Sequence, residues 1–236
     1  MYETMSSALA VNIREELLQR EGIQRIAPVR RGTTIYGPES QADSVYFVDS
    51  GYVKLVKRGD DGKEVMLSII PPGKIFGEQA IAPGGVRGVS AQMLQEGALY
   101  QIPRAVFVEF ANASPDVWRA VAELMMERQH EYEQKIALLC LQDVEYRILH
   151  YLASLSTVFG INPSDGQEYS LPLSQSELAH LIGATRETTS TTLNNLARRG
   201  LIRLGRRLLI VNTIDGVRAA AKDRVSSPKQ ISAAQA

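Results

Sequence analysis

Hydrophobic and polar positions change their period twice along this chain of 236 residues. Between about residues 24 and 103, apolar residues come in short β-branched or aromatic runs. The clearest are Val45-Tyr46-Phe47-Val48, Tyr52-Val53-Lys54-Leu55-Val56, Val65-Met66-Leu67-Ser68-Ile69-Ile70 and Ala98-Leu99-Tyr100-Gln101-Ile102. Turn residues separate them, among others Gly37-Pro38, Asp49-Ser50-Gly51, Pro71-Pro72-Gly73 and Glu96-Gly97. Short strands punctuated this often predict an antiparallel barrel or jelly roll. Helical spacing flanks this region, with a short helix expected over 12–21. Residues 116–142 hold neither Gly nor Pro, and Val117, Val121, Leu124, Tyr132, Ile136 and Leu139 form one stripe with Arg128 in its gap. A helix of that length, ~40 Å, exceeds what one face of a small domain needs and predicts a parallel homodimer seam. Trp118 and Met125, beside the stripe, are expected to pack on the β domain instead.

A further helix is expected over 143–159, then a polar loop over 160–166. Ser174-Gln175-Ser176-Glu177 has the spacing of a capping box, in which the hydroxyl and carboxylate each satisfy a free backbone N–H. Gly183 supplies the positive φ that a tight turn between helices needs. Thr185 can cap the next helix and Gly200 can end it. Residues 201–211 alternate like a hairpin. The order predicts a winged helix-turn-helix. On its second helix Arg186, Glu187, Ser190, Thr191 and Asn194 share a polar face, with Leu193 and Leu196 opposite. Thr188, Thr189, Thr191 and Thr192 oppose the helix by propensity, at ~0.5 kcal/mol each. Residues at the start of such a helix reach base edges, Arg suiting guanine and Glu accepting from cytosine. Arg198, Arg199, Arg203, Arg206 and Arg207 are candidates for phosphate contacts.

Lys+Arg and Asp+Glu both number 26, a formal net charge of zero that by itself speaks against a polyanion partner. The zero is an average of two halves: residues 1–145 carry −5 and residues 146–236 carry +5. The basic half is the one that holds the helix-turn-helix pattern. Cys140 is the only cysteine, so an intrachain disulfide and a four-thiolate cluster are both excluded. No metal-ligand spacing, nucleophile triad or Walker motif is visible, so no catalytic residue, metal or enzyme activity is expected. The N-terminal residues lack an apolar signal core, and no apolar run approaches ~20 residues. A cytoplasmic location with no membrane partner is the expectation.

The chain resembles the CRP/FNR superfamily of bacterial transcription regulators. The resemblance runs from about residue 26 to 211. It rests on Gly62-Lys63-Glu64, Phe76-Gly77-Glu78, Leu141-Gln142-Asp143-Val144 and Thr185-Arg186-Glu187-Thr188. It implies an α+β protein: an antiparallel β-roll of the cyclic-nucleotide-binding jelly-roll type over 1–113, then a dimerisation helix over 114–143. A winged helix-turn-helix follows over 144–225; the polar composition after Val225, apart from the resemblance, predicts a disordered tail over 226–236. It further implies a homodimer acting on a palindromic operator in double-stranded DNA, with RNA polymerase as partner and activation as mode. Arg186, Glu187 and Ser190 would read bases, with Ser174, Thr185, Thr191, Asn194, Arg206 and Arg207 around them. Members with Arg where this chain has Thr191 read a second guanine there, so an altered half-site is expected.

The effector is left open by the same resemblance. In cyclic-AMP-binding relatives a Gly-Glu pair meets the ribose and an Arg-Ser/Thr-Ala run the phosphate. Gly77 and Glu78 are present here, but Gln79 departs from the usual apolar continuation, and Gly88-Val89 separates Arg87 from Ser90. Tyr132 and Glu133 replace the pair that contacts adenine. These departures speak against cyclic AMP, and another small molecule, or none, stays open. Two alternatives remain beside a DNA-binding regulator: a cyclic-nucleotide-binding module acting through a protein partner, and a redox- or haem-responsive regulator using Cys140 or His130.

Overall fold

The computed structural model describes residues 15–159, 169–205 and 208–226. Its contacts divide the chain into two compact units, Met1–Ile136 and Ala137–Ala236. The expected loop over 160–166, most of the expected tail and residues 12–14 of the first helix lie outside the described residues; residues 15–18 are helical.

The first unit is a six-stranded antiparallel roll. Strands β1 (Gln24–Val29), β6 (Ser90–Pro103), β3 (Ser44–Arg58) and β4 (Glu64–Ile70) lie side by side in that order. Strand β2 (Thr34–Tyr36) pairs with β6, and β5 (Ile75–Phe76) with β3. Two stretches that read as turns are not turns. Asp49-Ser50-Gly51 lies inside β3 and Glu96-Gly97 inside β6, and the register between the strands shifts there. A Cβ on Gly97 would sit 2.0 Å from the Ser50 carbonyl oxygen, and one on Gly51 2.7 Å from those of Gln95 and Glu96. These glycines allow two backbones to meet at a bulge, so two long strands replace four short ones.

Two clusters fill the roll. One gathers Tyr36, Tyr46, Phe76, Met93 and Leu99 between the strands. The other joins Val45, Phe47 and Ile102 to helix α1 (Arg104–Ala113), through Phe107 and Phe110, and to Val117 of the long helix. That helix, α2 (Pro115–Leu141), runs for 27 residues without interruption.

Along α2 a row of polar side chains ties it to the sheet. Lys74 pairs with Glu127 at 3.1 Å, Arg128 donates to the Ile75 carbonyl at 2.6 Å, and Ser68 to Glu131 at 3.4 Å. Buried Lys135 donates to the Met66 carbonyl at 2.7 Å. Burial pushes the Glu131 carboxyl up and holds the Lys135 ammonium down to about 8.

The second unit carries α3 (Val144–Phe159), α4 (Gln175–Ile182), α5 (Arg186–Arg198) and α6 (Ile214–Ser226), with a three-stranded sheet. Its strands β7 (Tyr169–Leu171), β9 (Leu208–Val211) and β8 (Ile202–Gly205) lie in that order. Asp143 starts α3 by accepting from the Tyr146 N–H at 2.9 Å. Among the described residues no helix is long and apolar enough to cross a membrane.

Lys135 generates a prediction with a definite sign. Its folded pKa of about 8 lies below the ordinary lysine value of about 10.4, so between the two the unfolded chain binds more protons. Stability of the first unit therefore rises from about pH 8 to pH 10. Denaturant midpoints measured across that window should climb in the wild type and stay nearly level in Lys135→Met.

Candidate DNA interface and effector site

The helix-turn-helix forms from local signals. Ser174 Oγ accepts from the Glu177 N–H at 3.2 Å, while Glu177 Oε2 accepts from the Ser174 N–H at 2.9 Å, closing the capping box. Gly183 ends α4 at φ +63°. A Cβ there would meet only the movable tip of Leu139, Cδ2, at 2.7 Å, so it is the positive φ that calls for glycine at this turn. Arg147 donates to the Ile182 carbonyl at 2.8 Å and holds the turn from α3.

Thr185 caps α5, accepting from the Thr188 N–H at 3.2 Å. The threonines that oppose this helix by propensity are turned to use. Thr189 and Thr192 donate to the carbonyls four residues back, and Thr189 is fully buried. With Leu193 and Leu196 at 0% exposure, one face of α5 is sealed. The opposite face presents exposed Arg186, Glu187, Thr191 and Asn194 with half-buried Ser190 between them. Beside it a concavity of about 250 Å³ is lined by Ser174, Gln175, Ser176, Arg186 and the wing residues Gly205 and Leu208. It brings Ser174 and Arg186 to one surface.

The basic candidates divide. Arg206 and Arg207 lie outside the described residues. Arg198 donates to Asn195 Oδ1 at 2.5 Å. Arg199, expected at phosphate, is drawn to Glu145 at 2.6 Å, and Arg224 of α6 pairs with the same carboxylate. The Arg224 hydrogen bond, with that of Arg199 behind it, holds the Glu145 carboxyl below its usual range. This network braces α3, α5 and α6.

In the first unit Gly77 takes φ +80° at the start of a 3₁₀ turn, Glu78–Ile81. Arg87, 2% exposed, donates to the Gly77 carbonyl at 2.7 Å and the Ser44 carbonyl at 2.5 Å. Its guanidinium carbon lies 4.2 Å from the Tyr36 ring centre. A Cβ on Gly77 would approach Arg87 Nη1 to 2.8 Å. Glu78 pairs with Arg128, itself 6% exposed. Tyr132 is half-buried, its phenol pushed up by burial. Gly77, Glu78 and Arg87 are thus brought together. Exposed Glu133 instead accepts from Gln129 at 2.9 Å, and Ser90 sits in β6 opposite Val56. Sequence reasoning does not single out Tyr36 and Ser44, and marks Gln79 only as a departure from the usual apolar continuation. The signals available were the polar Gln79 after Gly-Glu and a lone Arg128 within an apolar stripe.

The seam expected on α2 also needs correction. Val117 is buried in the β domain's core and Val121 packs against it. Arg128 faces Glu78, and Leu139 lies against the Gly183 turn. Leu124 and Tyr132 are half-buried, and only Ile136 of the stripe is fully exposed, at 61%. A helical stripe looks alike whether it covers its own domain or a second copy, and spacing alone does not show that Val117, Val121 and Arg128 are taken by the β domain. The face left open carries Ala122, Met126, Gln129, Glu133, Ile136 and Cys140, all exposed, at alternating steps of four and three.

Comparison with known proteins matches each unit to a family. A model described as cyclic nucleotide-binding domain covers residues 27–114, and one described as Crp-like helix-turn-helix domain covers residues 146–219. The nitrogen fixation regulation protein FixK of Azorhizobium caulinodans is 30% identical over 76% of this chain and 73% of its own. The CRP-like cAMP-activated global transcriptional regulator of Mycobacterium tuberculosis is 29% identical over 89% of this chain and all of its own. FixK2 of Bradyrhizobium japonicum superposes with a TM-score of 0.73 at 21% identity, over 84% of this chain and 96% of its own. A CRP/FNR-family regulator of Thermus thermophilus gives 0.72 at 26%, over 85% and 100%. A sensor-type β domain joined to a helix-turn-helix defines a DNA-binding transcription regulator. The chain belongs to the CRP/FNR family of these regulators.

Gly183→Ala should destabilise the second unit by about 1–2 kcal/mol, since a Cβ is unfavourable at positive φ. Gly183→Asn should cost less, because Asn tolerates that region. Urea midpoints of the two variants check the order.

Proposed function

We propose that this regulator binds a palindromic DNA site as a homodimer, with α5 entering the major groove and Arg186, Glu187 and Ser190 meeting base edges. The observation that carries this is the two-faced α5: a sealed rear built from Thr189, Leu193 and Leu196, and an open polar front. Thr191 and Asn194 extend that front, Ser174 and Thr185 stand at helix N-termini suited to phosphate, and Arg206 and Arg207 of the wing add phosphate contacts. Thr191 is too short for the bidentate guanine contact an Arg makes, so the half-site differs from that of Arg-bearing members. RNA polymerase recruitment, activation and a cytoplasmic setting follow as the family's mode of action, and no enzymatic step is assigned.

Dimerisation falls to the open face of α2. Alternating steps of four and three are the a and d positions of a coiled coil, and Met126, Ile136 and Cys140 supply its apolar seam. Gln129 and Glu133 at the centre of that seam specify register at some cost in stability.

The β domain is of the cyclic-nucleotide-binding type, and the Mycobacterium relative is described as cAMP-activated. The residues here do not fit that ligand. Both terminal nitrogens of Arg87 are spent on main-chain carbonyls, and Glu78 is engaged by Arg128. We assign no cyclic nucleotide to this site.

Two experiments test the assignment. Glu187→Ala should lose about 1–3 kcal/mol on the preferred duplex and relax one base position, while Arg207→Ala weakens all duplexes alike and lowers the salt slope by about one. An unchanged base preference in Glu187→Ala would refute the reading of α5. Ile136→Glu should shift the protein from dimer to monomer in sedimentation equilibrium, whereas Ala153→Glu, off α2, should leave the mass unchanged.

A further inference from the structure

Three helix ends of the second unit meet at one carboxylate. Glu145 lies in the first turn of α3, Arg224 in the last turn of α6, and Arg199 caps the end of α5. Each side chain carries the charge that its own helix end favours, acidic at a positive N-terminus and basic at a negative C-terminus. Arg199 Nη1 donates to Glu145 Oε1 at 2.6 Å, and Arg224 Nη2 donates to Oε2 of the same group. Arg224 Nη1 also lies 3.5 Å from Asp143 Oδ2. Asp143, Arg224, Glu145 and Arg199 thus form a chain of alternating sign with no net charge.

The anchoring of α5 gives this chain a task. Leu193 and Leu196 are buried, but Ala197 is half-buried and Arg198, Arg199 and Gly200 are exposed. Apolar packing therefore stops one turn before the helix does. Polar ties continue it: Asn212, just after β9, donates from Nδ2 to the Gly200 carbonyl at 2.7 Å, and Glu145 takes Arg199. The Glu145 side chain is 18% exposed, whereas those of Arg199 and Arg224 are 48% and 43% exposed. Ion pairs this exposed add little to folding free energy, so the chain suits orienting a helix end better than holding up the unit. A helix is stiff, and Arg186 stands ~20 Å from Arg199 at 1.5 Å per residue. A swing at Arg199 is therefore carried to the reading end. Hydrogen bonds to base edges are directional and feel such a swing, whereas charge attraction to phosphates does not.

We propose that Glu145 is a positioning residue for sequence recognition: it takes Arg199, is itself held by Arg224, and so fixes the angle of α5. Arg199 serves this clamp and not a phosphate. The recognition part rests on the reading of α5 proposed above; the clamp itself does not.

The test uses the full chain and reads the clamp first without DNA. The N–H groups of Arg199, Gly200 and Leu201 bond to the carbonyls of Asn195, Ala197 and Leu196. Their hydrogen exchange should be ~10-fold faster in Glu145→Gln and in Arg199→Gln, as when one charge-assisted bond is lost. The double variant should exchange no faster than either single one, because both remove the same pair. Arg199→Lys, which keeps the charge, should stay close to wild type. Urea midpoints of all four variants should stay close to that of wild type. Binding is then compared, at one salt concentration, between the duplex that wild type enriches from a random pool and a duplex of random sequence. Glu145→Gln and Arg199→Gln should each lose ~10-fold of this preference, within the usual range of coupling between two sites. Their salt slope on the random duplex should stay that of wild type. Wild-type exchange in Glu145→Gln, additive effects in the double variant, a large fall in the urea midpoint, or a salt slope lowered by about one in Arg199→Gln would each overturn the proposal. Faster exchange with an unchanged preference would overturn its recognition part. A wild type with no sequence preference would instead refute the reading of α5, and the exchange rates alone would then decide the clamp.

Discussion

The ion pair between Arg128 and Glu78 is the interaction on which the rest of the first unit depends. A 27-residue helix has more surface than a β-roll of this size can cover with apolar contacts. Val117 and Val121 enter the core at one end, but further along the contacts are polar: Glu127 to Lys74, Arg128 to Glu78 and the Ile75 carbonyl, Glu131 to Ser68, and Lys135 to the Met66 carbonyl. Exposed ion pairs contribute little to stability, whereas Arg128 and Glu78 are both largely out of water. Removing either would strand the other's charge. Fixing this face of α2 leaves Met126, Ile136 and Cys140 exposed on another face, the one proposed above for dimerisation.

Readability from sequence followed how local the information was. The capping box at Ser174 and Glu177, the glycine at 183 and the cap at Thr185 each act within five residues, so a single chain displays them. The polar front of α5 was equally legible, and its run of threonines misled only on propensity, because hydroxyls at 189 and 192 bond within the helix. The bulges at Gly51 and Gly97 were illegible because each glycine answers a backbone some 45 residues away. What covers the α2 stripe was illegible for a related reason, since a stripe records that a face is apolar but not what lies against it. The polar cluster of Arg128, Glu78, Gln79 and Arg87 needs four side chains from three parts of the chain. Sequence offered only a polar residue where an apolar one is usual.

The balanced net charge acquires a physical meaning once divided. A −5 N-terminal part is kept from phosphates by its own field, while the +5 C-terminal part carries α5 and the wing. Some of that basic charge is internal: Arg199 and Arg224 converge on Glu145 and brace the helices that hold α5 in place. On the function proposed above, affinity for DNA then depends on fewer cations than the count implies, and specificity on Arg186, Glu187 and Ser190 of the open face.

The central claim is that a preassembled helix-turn-helix reads a palindromic duplex through the open face of α5, with no cyclic nucleotide assigned to the β domain. Selection of bound duplexes from a random pool by the full-length protein, with and without cyclic AMP, tests it most directly. One palindromic sequence should be enriched, with half-sites about one helical turn apart, and to the same extent in both arms. Enrichment confined to the cyclic AMP arm, or none in either, would contradict it.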